Sequence, residues 1–96
     1  MLIKAGVDIS RLERNTRRGL GKADNQYELY GDEMVVTSTY EGNHSAGSLH
    51  YANQAFDSGL PKKNANEITN GIMNTLGADF DVVLEADHIH VEYDPK

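Results

Sequence analysis

No cysteine occurs in this chain of 96 residues, so neither disulfide bonds nor cysteine-bound metal can stabilise its fold. A chain of this length buries only about 60–65% of the surface that it exposes when unfolded. We therefore expect one small hydrophobic core and a single domain over residues 1–96. The composition, 39% hydrophobic and 25% charged residues, is that of a globular protein.

The charge of the chain limits the partners that it can have. Fifteen acidic residues outnumber nine basic ones, which gives a net charge of −6. Such a balance argues against nucleic acid and against anionic membrane surfaces as partners. No apolar run approaches the ~20 residues of a membrane span. The hydrophobic region of the Met1–Ile9 segment is too short for a secretory signal peptide. We expect cytoplasmic synthesis, and the sequence leaves the oligomeric state open.

The N-terminal third of the chain predicts one polar helix. Its span is Ser10–Leu20, with Ser10 as the N-cap residue, and Gly19 and Gly21 are expected to end it. Before it, Met1–Gly6 is a short apolar N-terminal segment. The following segment, residues 22–31, fits a short strand or a helical turn equally well.

The remainder of the chain predicts a small sheet with a second helix. Ile68, Ile72 and Leu76 form an apolar row with the spacing of an α-helix over Ala65–Leu76. The Gly-, Ser- and Asn-rich segment Glu41–Tyr51 predicts a long loop, which in a small domain is usually functional. The order of elements favours an α+β fold, in which helices cover one face of a mainly antiparallel sheet. The predicted strands are Glu33–Tyr40, Gln54–Ser58, Phe80–Leu84 and His88–Tyr93.

Histidines and acidic residues beside the long loop suggest a metal site. His88 and His90 alternate along one predicted strand, so both side chains point to the same face of the sheet. His50 lies on the loop, and Asp57 lies on the short strand that follows it. A zinc ion held by three protein ligands keeps a fourth position open for water, which is the arrangement of catalytic zinc.

The spacing of these residues resembles a known family. The run SLHYANQAFD, from Ser48 to Asp57, is followed by DHIH, from Asp87 to His90. Together they resemble the S-x-H-x(6)-D and later D/E-H-x-H motifs of the zinc D-Ala-D-Ala peptidases and phage endolysins with the hedgehog/DD-peptidase fold. The strand VVTSTY, from Val35 to Tyr40, is also similar to the family's strand before the loop. The resemblance covers residues 34–92.

The resemblance implies a zinc peptidase that acts on the stem peptides of peptidoglycan, as a D-Ala-type carboxypeptidase or endopeptidase. It implies three zinc ligands, an acid that activates the attacking water and then protonates the leaving amine, and a histidine that steadies the tetrahedral intermediate. The matching positions are His50, Asp57 and His90 for the ligands, Asp87 for the acid, His88 for the histidine, and Ser48 for a residue beside the first ligand.

The role of Asp87 requires a particular local structure. On a regular strand Asp87 would face away from His90, so it has to lie in the turn Glu85–Asp87. Glu85 is the alternative acid in this turn. Its distance from His90 does not match the family pattern, and we expect it on the surface.

Two departures from the family pattern concern substrate binding. An arginine that holds the substrate's carboxylate normally ends the first strand, and this chain has Glu41 or a neighbouring residue there. The family's Gly-Arg pair is replaced by Asn53 and Gln54. The alternative function is therefore a catalytically impaired zinc-binding module with the same fold, used for structure or interaction. A third alternative is an α+β binding domain without metal. A peptidase made without a signal peptide would reach the cell wall by lysis or by phage-type delivery.

Overall fold

The structure is a computed structural model that describes residues 1–39 and 53–95. Within these residues no helix is long and apolar enough to cross a membrane. The elements are, in chain order, β1 (Leu2–Ile3), α1 (Arg14–Leu29), β2 (Val35–Ser38), β3 (Ala55–Gly59), α2 (Ala65–Leu76), β4 (Phe80–Leu84) and β5 (His88–Tyr93).

In the described residues the strands form a sheet with the order β1-β2-β3-β5-β4. β1 runs parallel to β2, and each other neighbouring pair is antiparallel. The helices pack on this sheet around a shared hydrophobic core, which confirms the predicted α+β class with a mainly antiparallel sheet. The expected apolar N-terminal segment Met1–Gly6 contains β1, a strand that the sequence did not predict. Its residues pair with Val35 and Val36, which are more than 30 positions away, so no local sequence pattern could predict this strand.

The first helix begins later than predicted. Ser10 lies before it, where the Ser10 backbone N–H donates to the Asp8 carboxylate at 2.8 Å. The N-cap residue is Glu13, whose carboxylate accepts a hydrogen bond from the backbone N–H of Asn15 at 3.0 Å. A side-chain acceptor at this position satisfies one of the unpaired N–H groups of the first turn, so the helix starts at Arg14.

The first helix also extends further than predicted. It continues through Gly19 and Gly21 to Leu29, so the prediction that these glycines end it is wrong, and residues 22–29 of the ambiguous segment are helical. Each glycine costs a helix about 0.8–1 kcal/mol relative to alanine. Burial of a stripe of side chains outweighs that cost. The buried side chains of the stripe are Thr16, Leu20, Ala23 and Tyr27.

The second helix and the later strands agree with the sequence prediction. α2 spans Ala65–Leu76, and its predicted row of Ile68, Ile72 and Leu76 is buried in the core. β4 and β5 have the predicted bounds, and β2 and β3 lie within one or two residues of theirs. The predicted loop Glu41–Tyr51 lies outside the described residues.

The two faces of the sheet have different chemical character. The face toward the helices carries buried side chains such as Val36, Phe56 and Val91. Because side chains alternate along a strand, the intervening residues point to the opposite face. That face carries Asp57 on β3 and the histidines of β5, which are half-buried. We call it the polar face; it is where the candidate site lies.

Candidate metal centre

The strand register brings the side chains of the site together. β3 and β5 are antiparallel, and Asp57 lies directly opposite His90. Residues opposite each other point to the same face, and so do residues two apart on one strand. His88 therefore shares the polar face with both residues. Its own partner on β3 is Gly59, which contributes no side chain.

One candidate ligand atom from each of Asp57, His88 and His90 lies within 4.8 Å of the other two. Nδ1 of His90 lies 2.8 Å from Oδ1 of Asp57. Nε2 of His88 lies 3.7 Å from the same oxygen. Two imidazole nitrogens and a carboxylate oxygen thus converge on one point, and this group can hold a metal ion. The donors suit zinc, and they also suit other divalent transition metals.

His90 lies between two carboxylates. Its Nδ1 faces Asp57, and its Nε2 lies 2.7 Å from Oε1 of Glu92. Ionised carboxylates only accept hydrogen bonds, so both ring nitrogens donate when the ring of His90 is protonated. The hydrogen bond to Asp57 raises the pKa of His90, against the opposing effect of burial, and the hydrogen bond to Glu92 raises it further.

His88 has a similar environment at the surface end of the site. Its Nδ1 lies 2.6 Å from Oδ1 of Asp87, while its Nε2 faces Asp57. The Asp87 side chain is 89% exposed, whereas that of His88 is 30% exposed. Nε2 of His88 therefore points toward the candidate metal ligands, while Nδ1 contacts the solvent-exposed carboxylate of Asp87.

The structure places only some of the residues predicted for the site. Asp57 and His90 lie together as expected for two metal ligands, and His88 lies with them, close enough to be a ligand itself. Asp87 lies in the turn between β4 and β5, as its proposed role requires, and contacts His88. His50 and Ser48 lie outside the described residues, and so does Glu41.

Glu92 is the residue of this site that sequence reasoning missed. It follows His90 by two positions on β5, so it points to the same face. The pattern H-x-H-x-E over residues 88–92 carries this information. The prediction used only the two histidines of this pattern and did not consider Glu92.

More acidic side chains lie beside Glu92. Carboxylate oxygens of Asp81, Glu92 and Asp94 lie within 4.8 Å of one another. Asp81 is on β4, directly opposite Glu92 across the strand pair. The polar face therefore carries a concentration of negative charge next to the candidate metal ligands, which favours a cation there.

Comparison with known proteins identifies no relative of this chain. No model of a protein family matches the chain, and no curated protein matches it. The metal-binding capacity of the site therefore rests on the positions of Asp57, His88 and His90.

Proposed function

We propose that this chain is a zinc-dependent peptidase that hydrolyses peptide bonds in peptidoglycan stem peptides. The convergence of Asp57, His88 and His90 on one face of the sheet is the observation that supports this most directly. The resemblance of the motifs SLHYANQAFD and DHIH to zinc D-Ala-D-Ala peptidases supports the choice of metal and substrate. We expect cleavage of the D-Ala type, by a carboxypeptidase or an endopeptidase.

The donor set of the site fits zinc. His90 would bind through Nδ1 and Asp57 through Oδ1, since these atoms already face each other at 2.8 Å. The third ligand is His50 in the family pattern, and His88 Nε2 is placed to serve as an additional or alternative ligand. When bound, zinc lowers the pKa of a water ligand to about 7 and polarises the scissile carbonyl.

The turn between β4 and β5 would supply the proton transfer. The Asp87 carboxylate accepts a proton from the attacking water and returns it to the leaving amine. Its exposure leaves it accessible to substrate, and its contact with Nδ1 of His88 ties it to the site. If His50 completes the ligand set, then Nε2 of His88 is available to donate a hydrogen bond to the carbonyl oxygen as negative charge develops.

The acidic surroundings of the site favour a second function. Asp81, Glu92 and Asp94 lie together on the described part of the chain, and Glu41 stands in the sequence where the family has a carboxylate-binding arginine. A free C-terminal carboxylate on a substrate would be repelled by these groups. The alternative is therefore a zinc-binding module without turnover, used for structure or for interaction.

One set of variants separates these functions. We expect the purified chain to bind one zinc and to cleave peptides that contain D-Ala. Asp87→Ala should keep its zinc and lose roughly two to four orders of magnitude in turnover, the usual contribution of a positioned general base. His90→Ala should lose both metal and activity. Glu85→Ala, a change in the same turn, is the matched control and should retain both.

The result for the unaltered protein decides between the two functions. A zinc-loaded chain that cleaves neither stem peptides nor intact cell walls would contradict the peptidase and favour the module. In that event Glu41→Arg tests the cause, because an arginine there would supply the missing partner of the substrate's carboxylate. A chain that binds no zinc at all would exclude both functions.

A further inference from the structure

Glu92 contacts the ring nitrogen of His90 that faces away from the candidate metal. Its Oε1 lies 2.7 Å from Nε2 of His90, while Nδ1 of the same ring faces Asp57 at 2.8 Å. We propose that Glu92 is a positioning residue for metal binding, which accepts the hydrogen bond of Nε2–H and so presents Nδ1 to the ion. This inference rests on the metal site of the proposed function.

A histidine ligand needs such a partner for a geometric reason. The neutral ring carries one proton, on either nitrogen, and only the unprotonated nitrogen can bind a metal. The ring can also rotate about its bond to the main chain. A carboxylate held at Nε2 fixes both the proton position and the ring orientation, and it raises the basicity of the ligand. Asp57 alone does not do this, because it lies on the metal side of the ring.

The surroundings of Glu92 argue that it is not at this position for the stability of the sheet. Its partner on β3 is the buried Ala55, and its partner on β4 is Asp81. Like charges directly opposite each other across a strand pair are destabilising. Among the contacts of the described residues, the hydrogen bond to His90 is the one that accounts for an acid at position 92.

Glu92 is better suited to this role than the carboxylate on the other histidine. The Glu92 side chain is 24% exposed, whereas that of Asp87, which contacts His88, is 89% exposed. A solvated side chain at a turn exchanges readily between protein and water partners, while a half-buried one on a strand is held in place. Glu92 should therefore influence His90 more than Asp87 influences His88.

Zinc affinity, measured by competition with a chelator, tests the role of Glu92. Glu92→Met should weaken zinc binding by about 10- to 100-fold, the usual effect of removing a partner of a metal-binding histidine. Glu92→Gln retains an oxygen that can accept from Nε2–H, so it should keep most of the affinity. Asp81→Asn is the matched control, because it removes a charge of the same sign from the same face, at the position directly opposite Glu92 on β4.

Further measurements distinguish positioning from folding. Thermal unfolding of the metal-free variants should show that Glu92→Met still unfolds in one cooperative transition, so that the loss of affinity is not a loss of fold. Ring ¹⁵N NMR of the zinc-loaded chain should show Nδ1 bound and Nε2 protonated for His90. In Glu92→Met that signature should change, either to a mixture or to binding through Nε2.

The outcomes separate this inference from the proposed function. Zinc binding by the unaltered chain with equal affinity in Glu92→Met would overturn the role of Glu92 alone. An equal loss in Asp81→Asn would also overturn it, since the effect would then be one of charge. Two zinc ions per chain, falling to one in Glu92→Met, would make Glu92 a ligand and overturn the positioning role. A chain that binds no zinc overturns both proposals.

Discussion

Tyr27 links the first helix to the strand that carries Asp57. Its side chain is fully buried, and its hydroxyl donates to the carbonyl oxygen of Gly59 at 2.6 Å and lies 3.0 Å from the Ser58 hydroxyl. Burial raises the pKa of Tyr27, although the hydrogen bond with Ser58 acts in the opposite direction. One side chain thus fixes α1 to β3 next to the candidate metal ligand.

The role of Tyr27 gives a prediction with a defined pH dependence. Tyr27→Phe should lower the free energy of unfolding by about 1–3 kcal/mol, because buried polar groups lose their partner. A raised pKa means that the folded state holds the phenol proton longer than the unfolded state. The contribution of the Tyr27 phenol to the free energy of unfolding is therefore complete below its pKa in the unfolded chain, about 10. It is lost as the pH rises through the higher pKa of the folded state. Urea unfolding of both proteins on either side of that range measures it; an identical alkaline slope in Tyr27→Phe would contradict the assignment.

At the scale of single residues, the sequence predicted one half of the candidate site. The alternation of His88 and His90 on a strand is a local pattern, and it correctly predicted that both point to one face. The position of Asp57 opposite His90 depends on the register between β3 and β5, which are far apart in sequence. No local pattern encodes a register of that kind, so the contact could be expected only from the family resemblance. The same alternation also predicts that Glu92 points to this face, because it follows His90 by two positions on the strand.

At the scale of elements, local patterns predicted the bounds of α2 and of the late strands, but they predicted α1 with the wrong start and the wrong end. α2 has a clean apolar row, and β4 and β5 are short β-branched or aromatic runs next to turn residues. α1 contains Gly19 and Gly21, and such glycines ordinarily signal the end of a helix. Gly19 lies inside the helix because it packs against the sheet layer: a methyl group there would lie 3.2 Å from the Phe80 ring.

The two glycines of α1 make a matched pair for a test. Gly21→Ala should stabilise the protein by about 0.5–1 kcal/mol, since alanine is the better helix former and a methyl group there meets no atom of the described residues within 4 Å. Gly19→Ala should lose that gain, because its methyl group would press on Phe80. Chemical denaturation of both variants measures the difference. Equal stabilisation by both would show that α1 and Phe80 are not in close contact.

The core face of α2 gives a second prediction at this scale. Ile72 is fully buried against the sheet, while its neighbour Met73 is 42% exposed. Ile72→Ala should cost about 2–4 kcal/mol through lost burial and the cavity left behind. Met73→Ala is the control on the same helix and should change stability by no more than about 0.5 kcal/mol. Similar losses in both variants would mean that α2 does not pack on the sheet through Ile72.

At the scale of the whole molecule, the candidate site joins two strands that the chain connects only through α2 and β4. Asp57 is on β3, and His88 and His90 are on β5. An ion bound by these residues would cross-link the sheet in its folded register and would not find the same arrangement in the unfolded chain. It would also offset the repulsion among the acids of the polar face, in a chain with a net charge of −6. Metal binding should therefore increase the free energy of unfolding.

The last prediction follows from that linkage. Zinc at about 100 times its dissociation constant should raise the free energy of unfolding by about 2.7 kcal/mol, the amount that mass action requires for one site absent from the unfolded chain. His90→Ala should lose this increment, and Asp87→Ala should keep it, because Asp87 faces His88 from outside the ligand set. Magnesium is the control cation, since it prefers oxygen ligands and gains little from imidazoles. If magnesium stabilises the protein as much as zinc does, or if His90→Ala responds fully to zinc, the ion is held by the acids of the polar face and not by the histidines.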